Sequence, residues 1–238
     1  MSPFPLVVSA HALDAGLGEG FVADAAVFAE LDCRAVCVAT SVLAHRPLPP
    51  ELVASQLEAV LALGPVAAVR VGLVTGAALV TLAAGFARRV APAATVVASP
   101  VRVGTTTVLD VATRDALRRE LFPAARVVVA RAVDCAFFAG REVTDLEGLR
   151  DAAARLRDLG ARAAVVAGLL VRGRVIDLVD DEGNVVLFDA ARIQAPRIPG
   201  LAGAHAAALT AHLARGLTLS NAAEAAQRYI GFRLQRGR

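Results

Sequence analysis

The sequence contains no lysine: all 25 of its basic residues are arginine. Schiff-base chemistry, a P-loop lysine and every other ammonium clamp on phosphate are therefore excluded. Tryptophan is also absent, and aromatic residues make up only 4% of the chain. Cysteine is scarce as well. Cys33, Cys37 and Cys135 are an odd number in a long chain, which speaks against a disulfide framework. Cys33 and Cys37 stand at a spacing that suits a metal, but no second Cys/His pair follows at finger spacing, so all three read as small buried residues. Excess charge of one sign is lacking too. A net charge of +3 makes a weak field, and the apparent basicity says little about partners. The opening residues Met1 to Pro5 carry no positive n-region, which argues against a signal peptide. The uncharged run from Val71 to Ala87 reaches only the short limit of roughly 17 residues for a membrane span. It reads better as a strand end, a turn at Thr75-Gly76 and a buried helix. The expectation is a soluble, cytoplasmic protein with neither a membrane nor a nucleic-acid partner.

What is present is apolar. Of 238 residues, 56% are hydrophobic, mostly Ala, Val and Leu, which supplies one domain with a full core. Short Val-rich runs alternate with longer helical patterns. Strands are expected at Leu6–Ser9, Ala35–Val42, Val66–Gly72, Thr95–Ala98, Arg126–Ala130 and Ala163–Val166. Helices are expected at Phe21–Leu31, Glu51–Leu63, Ala77–Arg89 and from Thr144 to Leu159, the last opened by the capping box Thr144-Asp145-Leu146-Glu147 and closed by Gly160. Near-continuous apolar strands mean both sheet faces are covered, the mark of a parallel α/β sheet. From Leu169 to Ile193 the pattern changes to antiparallel hairpins, with a turn at Asp181-Glu182-Gly183-Asn184. Two Ala-rich helices follow, Gly203–Ala214 and Ser220–Phe232. No linker or repeat divides the chain, so residues 1–238 read as one doubly wound domain. Its ligands are expected at the carboxyl ends of the strands, where helix N-termini point.

Each candidate site has a plain structural reading beside it. Gly18, Gly20 and Ala23 match the dinucleotide fingerprint in form, but too many residues separate Ser9 from Gly18, and no acidic residue follows the second strand. The histidines form no zinc-type pair with nearby acids. His205 and His212 read as packing or solvent residues, whereas His45 follows the second strand at the ligand-binding end. No serine or cysteine sits in a nucleophile elbow. Asp180-Asp181-Glu182 reads as a solvated turn, and Arg228, Arg233, Arg236 and Arg238 as a solvated basic tail.

The order of elements, together with several short stretches, resembles the hydroxymethylpyrimidine/phosphomethylpyrimidine kinases of the ribokinase-like superfamily, from about Leu6 to Ile230. Asp14, Gly18, Gly20 and Asp24, followed by Phe28, fall where that family writes D-x-S-G-G-A-G-x-x-A-D. Glu51 to Leu57 and Arg70-Val71-Gly72-Leu73 resemble its next helix and strand. Ile176-Asp177-Leu178 and Pro199 to Ala204 fit its later landmarks. The resemblance implies a ribokinase-like three-layer α/β sandwich, mainly parallel and doubly wound with a small antiparallel appendage, and a homodimer. It also implies a small heteroaromatic ligand held by Asp14, Gly18, Asp24, His45, Leu73 and Val101, with Gly200, Ala202 and Gly203 at an anion hole.

Departures from the family pattern are several. Ala204 occupies the position of the family base, and Leu201 that of the leading anion-hole glycine. Ala167-Gly168-Leu169 stands where the family has its phosphate-side lysine. Ser99 replaces an acidic residue, and Ala130 to Cys135 replace T-P-N-x-x-E, with Asp134 one place from the glutamate. Glu19 puts a carboxylate in the substrate loop. Kinase chemistry needs a base, cations on the phosphates and acids for Mg²⁺. The leading expectation is thus a catalytically degenerate relative that has no catalytic residue and no required cofactor, and that binds a heteroaromatic molecule or acts by protein contact. The alternative is an active kinase using ATP and Mg²⁺, with Arg131 or Arg102 as the phosphate clamp. A third reading is a structural subunit whose cleft is filled by Glu19 and Leu201.

Overall fold

The structure is a computed structural model that describes residues 4–13, 20–42, 46–90, 95–98, 109–194 and 200–236. Among these, nine strands form one sheet in the order β3-β2-β1-β4-β5-β6-β7-β8-β9. The strands are β1 (Leu6–Leu13), β2 (Arg34–Val42), β3 (Arg46–Pro47), β4 (Ala68–Val71), β5 (Thr95–Ala98), β6 (Val127–Arg131), β7 (Ala163–Val171), β8 (Arg174–Asp181) and β9 (Asn184–Ala191). Strands β2, β1, β4, β5, β6 and β7 run parallel, while β3, β8 and β9 are antiparallel to their neighbours.

Helices cover both faces, which is why the central strands carry apolar residues without alternation. On one face α2 (Pro50–Leu61), α3 (Ala77–Val90), the helical stretch from α4 (Val111–Ala116) through a π-turn (Leu117–Leu121) to α5 (Phe122–Ala124), and α7 (Leu146–Asp158) pack on Leu6, Val8, Ala10, Val69, Val71 and Val128. On the other face α1 (Phe21–Glu30), α8 (Leu201–Ala214) and α9 (Leu219–Arg236) pack on Val7, Ala68, Val127, Val129 and Val165. The period of two along each strand sorts its side chains between these layers. Ser9, His11 and Arg70 thus share the α1/α8 face with Val7 and Ala68.

Most expected elements stand within a residue or two of their predicted bounds. Strands β1 and β7 are longer than expected. In β7 the chain passes through Gly168, at φ +82°, where the register shifts between Val166 and Leu169, and then pairs on with β8. Gly168 is a bulge in a continuous strand and not its end. Both hairpins close on two-residue turns with positive φ throughout, Arg172-Gly173 at +47° and +77° and Glu182-Gly183 at +54° and +95°. That is the type I′ geometry matching strand twist.

Three readings are corrected. The cap of α7 is Asp145, whose carboxylate accepts from the Gly148 amide at 2.8 Å, and not Thr144. Asp180 is not a solvated turn residue but lies buried in β8, paired with Arg157 at 3.0 Å. Arg228 and Arg236 are exposed as expected, but Arg233, in the last turns of α9, is half-buried and meets the Tyr229 hydroxyl. The helical stretch from Val111 to Ala124 and the short α6 (Cys135–Phe138) carry no prediction. Cys33 and Cys135 are buried and Cys37 half-buried, all three as free thiols.

Candidate functional site

At the carboxyl ends of the parallel strands, beneath α1 and α8, the sheet buries a polar group that its surroundings do not predict. Asp24, in the first turn of α1, faces Arg70 on β4, and the two side chains are ion-paired through Asp24 Oδ2 and Arg70 Nη1. Ser9, opposite Arg70 in the β1/β4 register, donates its hydroxyl to the same carboxylate oxygen at 2.5 Å. Burial raises the Asp24 carboxyl above its usual range, against the pull of Arg70 and the Ser9 hydrogen bond. Asp24 Oδ2 satisfies Nη1 alone. Arg70 Nε and Nη2 are buried without a hydrogen-bond partner among the described residues.

His11 lies two residues along β1 on the same face. Its Nδ1 accepts from the Ala12 amide at 2.7 Å, so the ring is neutral and carries its proton on Nε2. Burial first, and Arg70 second, hold its pKa well below the ordinary value. The ring covers the bare backbone of Gly72, where a Cβ would fall 1.7 Å from His11 Cδ2. Only glycine fits opposite this histidine.

Helix α8 begins above Arg70. Its N-cap, Gly200, adopts φ +75° and supplies no side-chain cap, and its first turn holds no acidic residue. The amides of Leu201, Ala202 and Gly203 have no acceptor within the helix. The first helical bond runs from Ala204 N to Gly200 O at 2.8 Å. A Cβ at Gly203 would stand 3.7 Å from Arg70 Nη2. Ala204 is buried, and neither residue 203 nor residue 204 carries a proton acceptor.

On the β6–β8 side, Arg131 holds Asp134 through Nε–Oδ2 at 2.6 Å and Nη2–Oδ1 at 3.0 Å. The carboxylate of Asp134 is buried and engaged by that guanidinium. Beyond it, Ala167 ends the straight part of β7. Asp177 Oδ1 accepts from the Gly168 amide at 2.7 Å, while its Oδ2 lies 3.4 Å from His205 Nε2 on α8. His205 is therefore buried beside an aspartate, as the packing reading expected, and its Nε2 makes no hydrogen bond among the described residues.

Of the expected ligand residues, the structure brings Asp24, Gly200 and Gly203 to this edge. Leu73 follows β4, but its side chain belongs to the core beneath α2 and α3, and its carbonyl accepts from Thr40 Oγ1 at 3.0 Å. Ala202 sits in the first turn of α8. Asp14, Gly18, Glu19, His45, Ser99, Val101 and Arg102 lie outside the described residues. Sequence reasoning missed Ser9, His11, Asp177 and His205, and gave Arg70 no role. The signal was present in each strand case: one polar residue within an apolar run. As for Mg²⁺, no group of three or more His, Cys, Asp or Glu among the described residues is arranged to hold a metal. The nearest acids at this edge, Asp24, Asp134 and Asp177, are engaged by Arg70, Arg131 and the Gly168 amide. The described residues do not form a protein-built metal site.

Residues 14–237 match the family described as Phosphomethylpyrimidine kinase. The chain is 30% identical over 239 residues to the hydroxymethylpyrimidine/phosphomethylpyrimidine kinase of Synechococcus elongatus, covering 95% of this chain and 90% of that protein. It is 31% identical to the Thiamine biosynthesis bifunctional protein ThiED of Geobacter sulfurreducens, over 96% of this chain but 49% of that larger protein. Its fold superposes on Staphylococcus aureus pyridoxal kinase, solved in complex with AMP-PCP, with a TM-score of 0.89 at 24% identity, covering 98% of this chain and 88% of that one. This likeness makes the three-layer sandwich a ribokinase-like fold. Described from its own residues and matched along nearly its whole length, the chain belongs to the phosphomethylpyrimidine kinase family of thiamine biosynthesis.

Proposed function

We propose that this protein transfers the γ-phosphoryl group of ATP to the hydroxymethyl oxygen of a hydroxymethylpyrimidine, or to a phosphate oxygen of its monophosphate, and does so slowly. The observation that carries this reading is the first turn of α8. An uncapped helix N-terminus, free of acidic side chains, opens at the carboxyl edge of a parallel sheet in a chain that follows the kinase family from end to end. Amides and the helix dipole there favour a polyphosphate. Phosphoryl transfer passes through a loose transition state, so positioning and electrostatics supply most of the rate. Loss of a positioned base at residues 203 and 204 then costs roughly 10²–10⁴-fold and not the whole reaction. Asp14, Gly18, Asp24, His45 and Val101 form the proposed acceptor side, with Leu73 in the core behind it, and the amides of Leu201 to Gly203 the phosphate side. ATP is a substrate in this scheme.

A second reading, a ligand-binding relative without turnover, is favoured by the sequence: Ala167 and Ala204 stand where the family pattern has an ammonium group and a proton acceptor. ADP release measured with hydroxymethylpyrimidine, its monophosphate and pyridoxal separates the two. Acceptor-dependent ADP formation at about 10²–10⁴-fold below the roughly 1–100 s⁻¹ of kinases is the expected result. Binding of an acceptor without ADP formation supports the second reading, and binding of neither ATP nor an acceptor removes both.

A further inference from the structure

The ion pair at the end of β6 is built with its cation outward. Arg131 is the last residue of β6, and Asp134 closes the short helical turn Ala132–Asp134 that follows. Hydrogen bonds from Nε and Nη2 fix the guanidinium against both oxygens of that carboxylate. The Asp134 side chain is 3% exposed and that of Arg131 37%. A surface pair leaves both groups to water, and a buried pair hides both. Here the carboxylate lies under the guanidinium, and a molecule arriving at this edge meets the guanidinium first.

The strand register shows which space that cation borders. Arg131 pairs with Ala167 of β7, and by the period of two both project on the α8 face, as Val129 and Val165 do. The next residue, Gly168, adopts φ +82°, and a Cβ there would meet nothing within 4 Å. A methyl group, a bare glycine and a partly exposed arginine thus stand side by side at the carboxyl edge, where sheets of this kind take their ligands. Arginine keeps its charge at every working pH, and its planar fork suits phosphate oxygens.

The same pair occupies an acid that a metal ion would need. Phosphoryl transfer generally uses a divalent cation, held by protein carboxylates, to neutralise charge on the phosphates. A carboxylate that accepts from a guanidinium at both oxygens is already neutralised. Asp134 is in that state. Asp24 is held by Arg70 and Ser9, and Asp177 by the Gly168 amide. Among the described residues no group of three or more His, Cys, Asp or Glu is left to hold a metal.

We propose that the Arg131 guanidinium, anchored on Asp134, takes the place of a protein-held divalent cation at the nucleotide side of the cleft, so that this protein binds its nucleotide as the metal-free polyanion. Free nucleotide carries more negative charge than its magnesium complex and is drawn more strongly to a fixed guanidinium. The inference rests on the kinase reading for the nucleotide and adds that its binding dispenses with the metal.

Calorimetric titration of the full chain with ADP, in excess EDTA and again in excess Mg²⁺, tests it in wild type, Arg131→Gln and the double variant Arg131→Gln/Asp134→Asn. Wild type is expected to bind ADP in EDTA at least as tightly as in Mg²⁺. Arg131→Gln uncovers a carboxylate that repels free nucleotide and offers Mg²⁺ a ligand. Its ADP affinity in EDTA should fall about tenfold or more below that in Mg²⁺. Should Arg131→Gln fail to fold with a buried charge unpaired, the double variant carries the test. It should bind ADP in EDTA about tenfold more weakly than wild type and gain nothing from Mg²⁺. Wild-type binding that requires Mg²⁺, or variants as tight in EDTA as wild type, overturns the proposal; acceptor-dependent ADP formation in the same protein keeps the kinase reading. Metal-free ADP binding that depends on Arg131, in a protein that forms no ADP from ATP, does the reverse. No ADP binding by folded wild type under either condition removes both.

Discussion

His11 shows how one side chain in a central strand sets terms for its neighbours. Its ring occupies the space above Gly72, its Nδ1 is held by a backbone amide, and it is buried close to a guanidinium. The folded protein therefore resists protonating it, while the unfolded chain titrates near the ordinary value of roughly 6.5. Below that pH the unfolded state binds a proton that the folded state does not, so stability falls as pH falls. For one such group the slope approaches about 1.4 kcal/mol per pH unit. Urea unfolding between pH 7.5 and 5 should show this loss in wild type, and His11→Asn should flatten most of it. An unchanged slope in the variant would clear His11 of the effect. Comparing the two proteins also removes Asp24 from the measurement, since its raised carboxyl works in the opposite sense at lower pH. The three cysteines offer no competing titration: burial pushes the Cys37 thiol up to about 11 and the Cys135 thiol to about 12.

Element ends are where short-range chemistry can be read most directly, and where it can slip by one residue. Thr144-x-x-Glu147 has the form of a capping box, yet Asp145 caps α7 because its extended backbone, φ −148° and ψ −176°, aims the carboxylate at Gly148 N. An aspartate and a threonine side by side offer the helix two starts, and the charged acceptor wins at the positive end of the dipole. Asp145→Ala should cost about 1 kcal/mol, or roughly 2–4 °C in unfolding temperature, with Thr144→Ala near neutral. A scan of both variants checks it, and equal losses would return the cap to Thr144. The hairpins were legible for a similar reason. The turn at Gly183 is read from its glycine within a polar break, whereas the turn at Arg172-Gly173, of the same geometry, is not named. The stretch from Val111 to Ala124 was not legible, because a π-turn at Leu117–Leu121 and Pro123 break the 3.6-residue period on which a helix reading depends.

At the scale of the whole molecule, α8 is the pivot. It packs on the sheet between α1 and α9, with Ala206, Ala207, Ala208, Leu209 and Ala211 fully buried. Alanine on several sides lets the helix approach its neighbours closely, and that depth brings Gly203 within reach of Arg70. Enlarging this contact should therefore be felt throughout. Ala207→Leu is expected to cost about 1–3 kcal/mol by overpacking, read as a lower denaturant midpoint with an unchanged slope. No loss at all would mean that a void lies beside the helix. The sheet's antiparallel end is held differently, by Arg126–Asp181 at 2.7 Å and Arg157–Asp180 at 3.0 Å, arginine pairs that the sequence presents as a featureless acidic turn.

The sequence by itself determined the alternation of strands and helices, the parallel character of the sheet, the closing hairpins and the absence of lysine chemistry. Each of these is a property of local period, turn residues or composition. Only the tertiary structure decided which polar residues meet. Ser9, Asp24, Arg70 and Gly203 are spread over nearly two hundred positions, and the period of two along β1 and β4 puts them on the α1/α8 face only once the strand order is known. The same order brings His205 on α8 to within 3.4 Å of Asp177 on β8. Pairings of that kind depend on which strands lie side by side and how deep a helix sits, and neither is encoded within any one segment of chain.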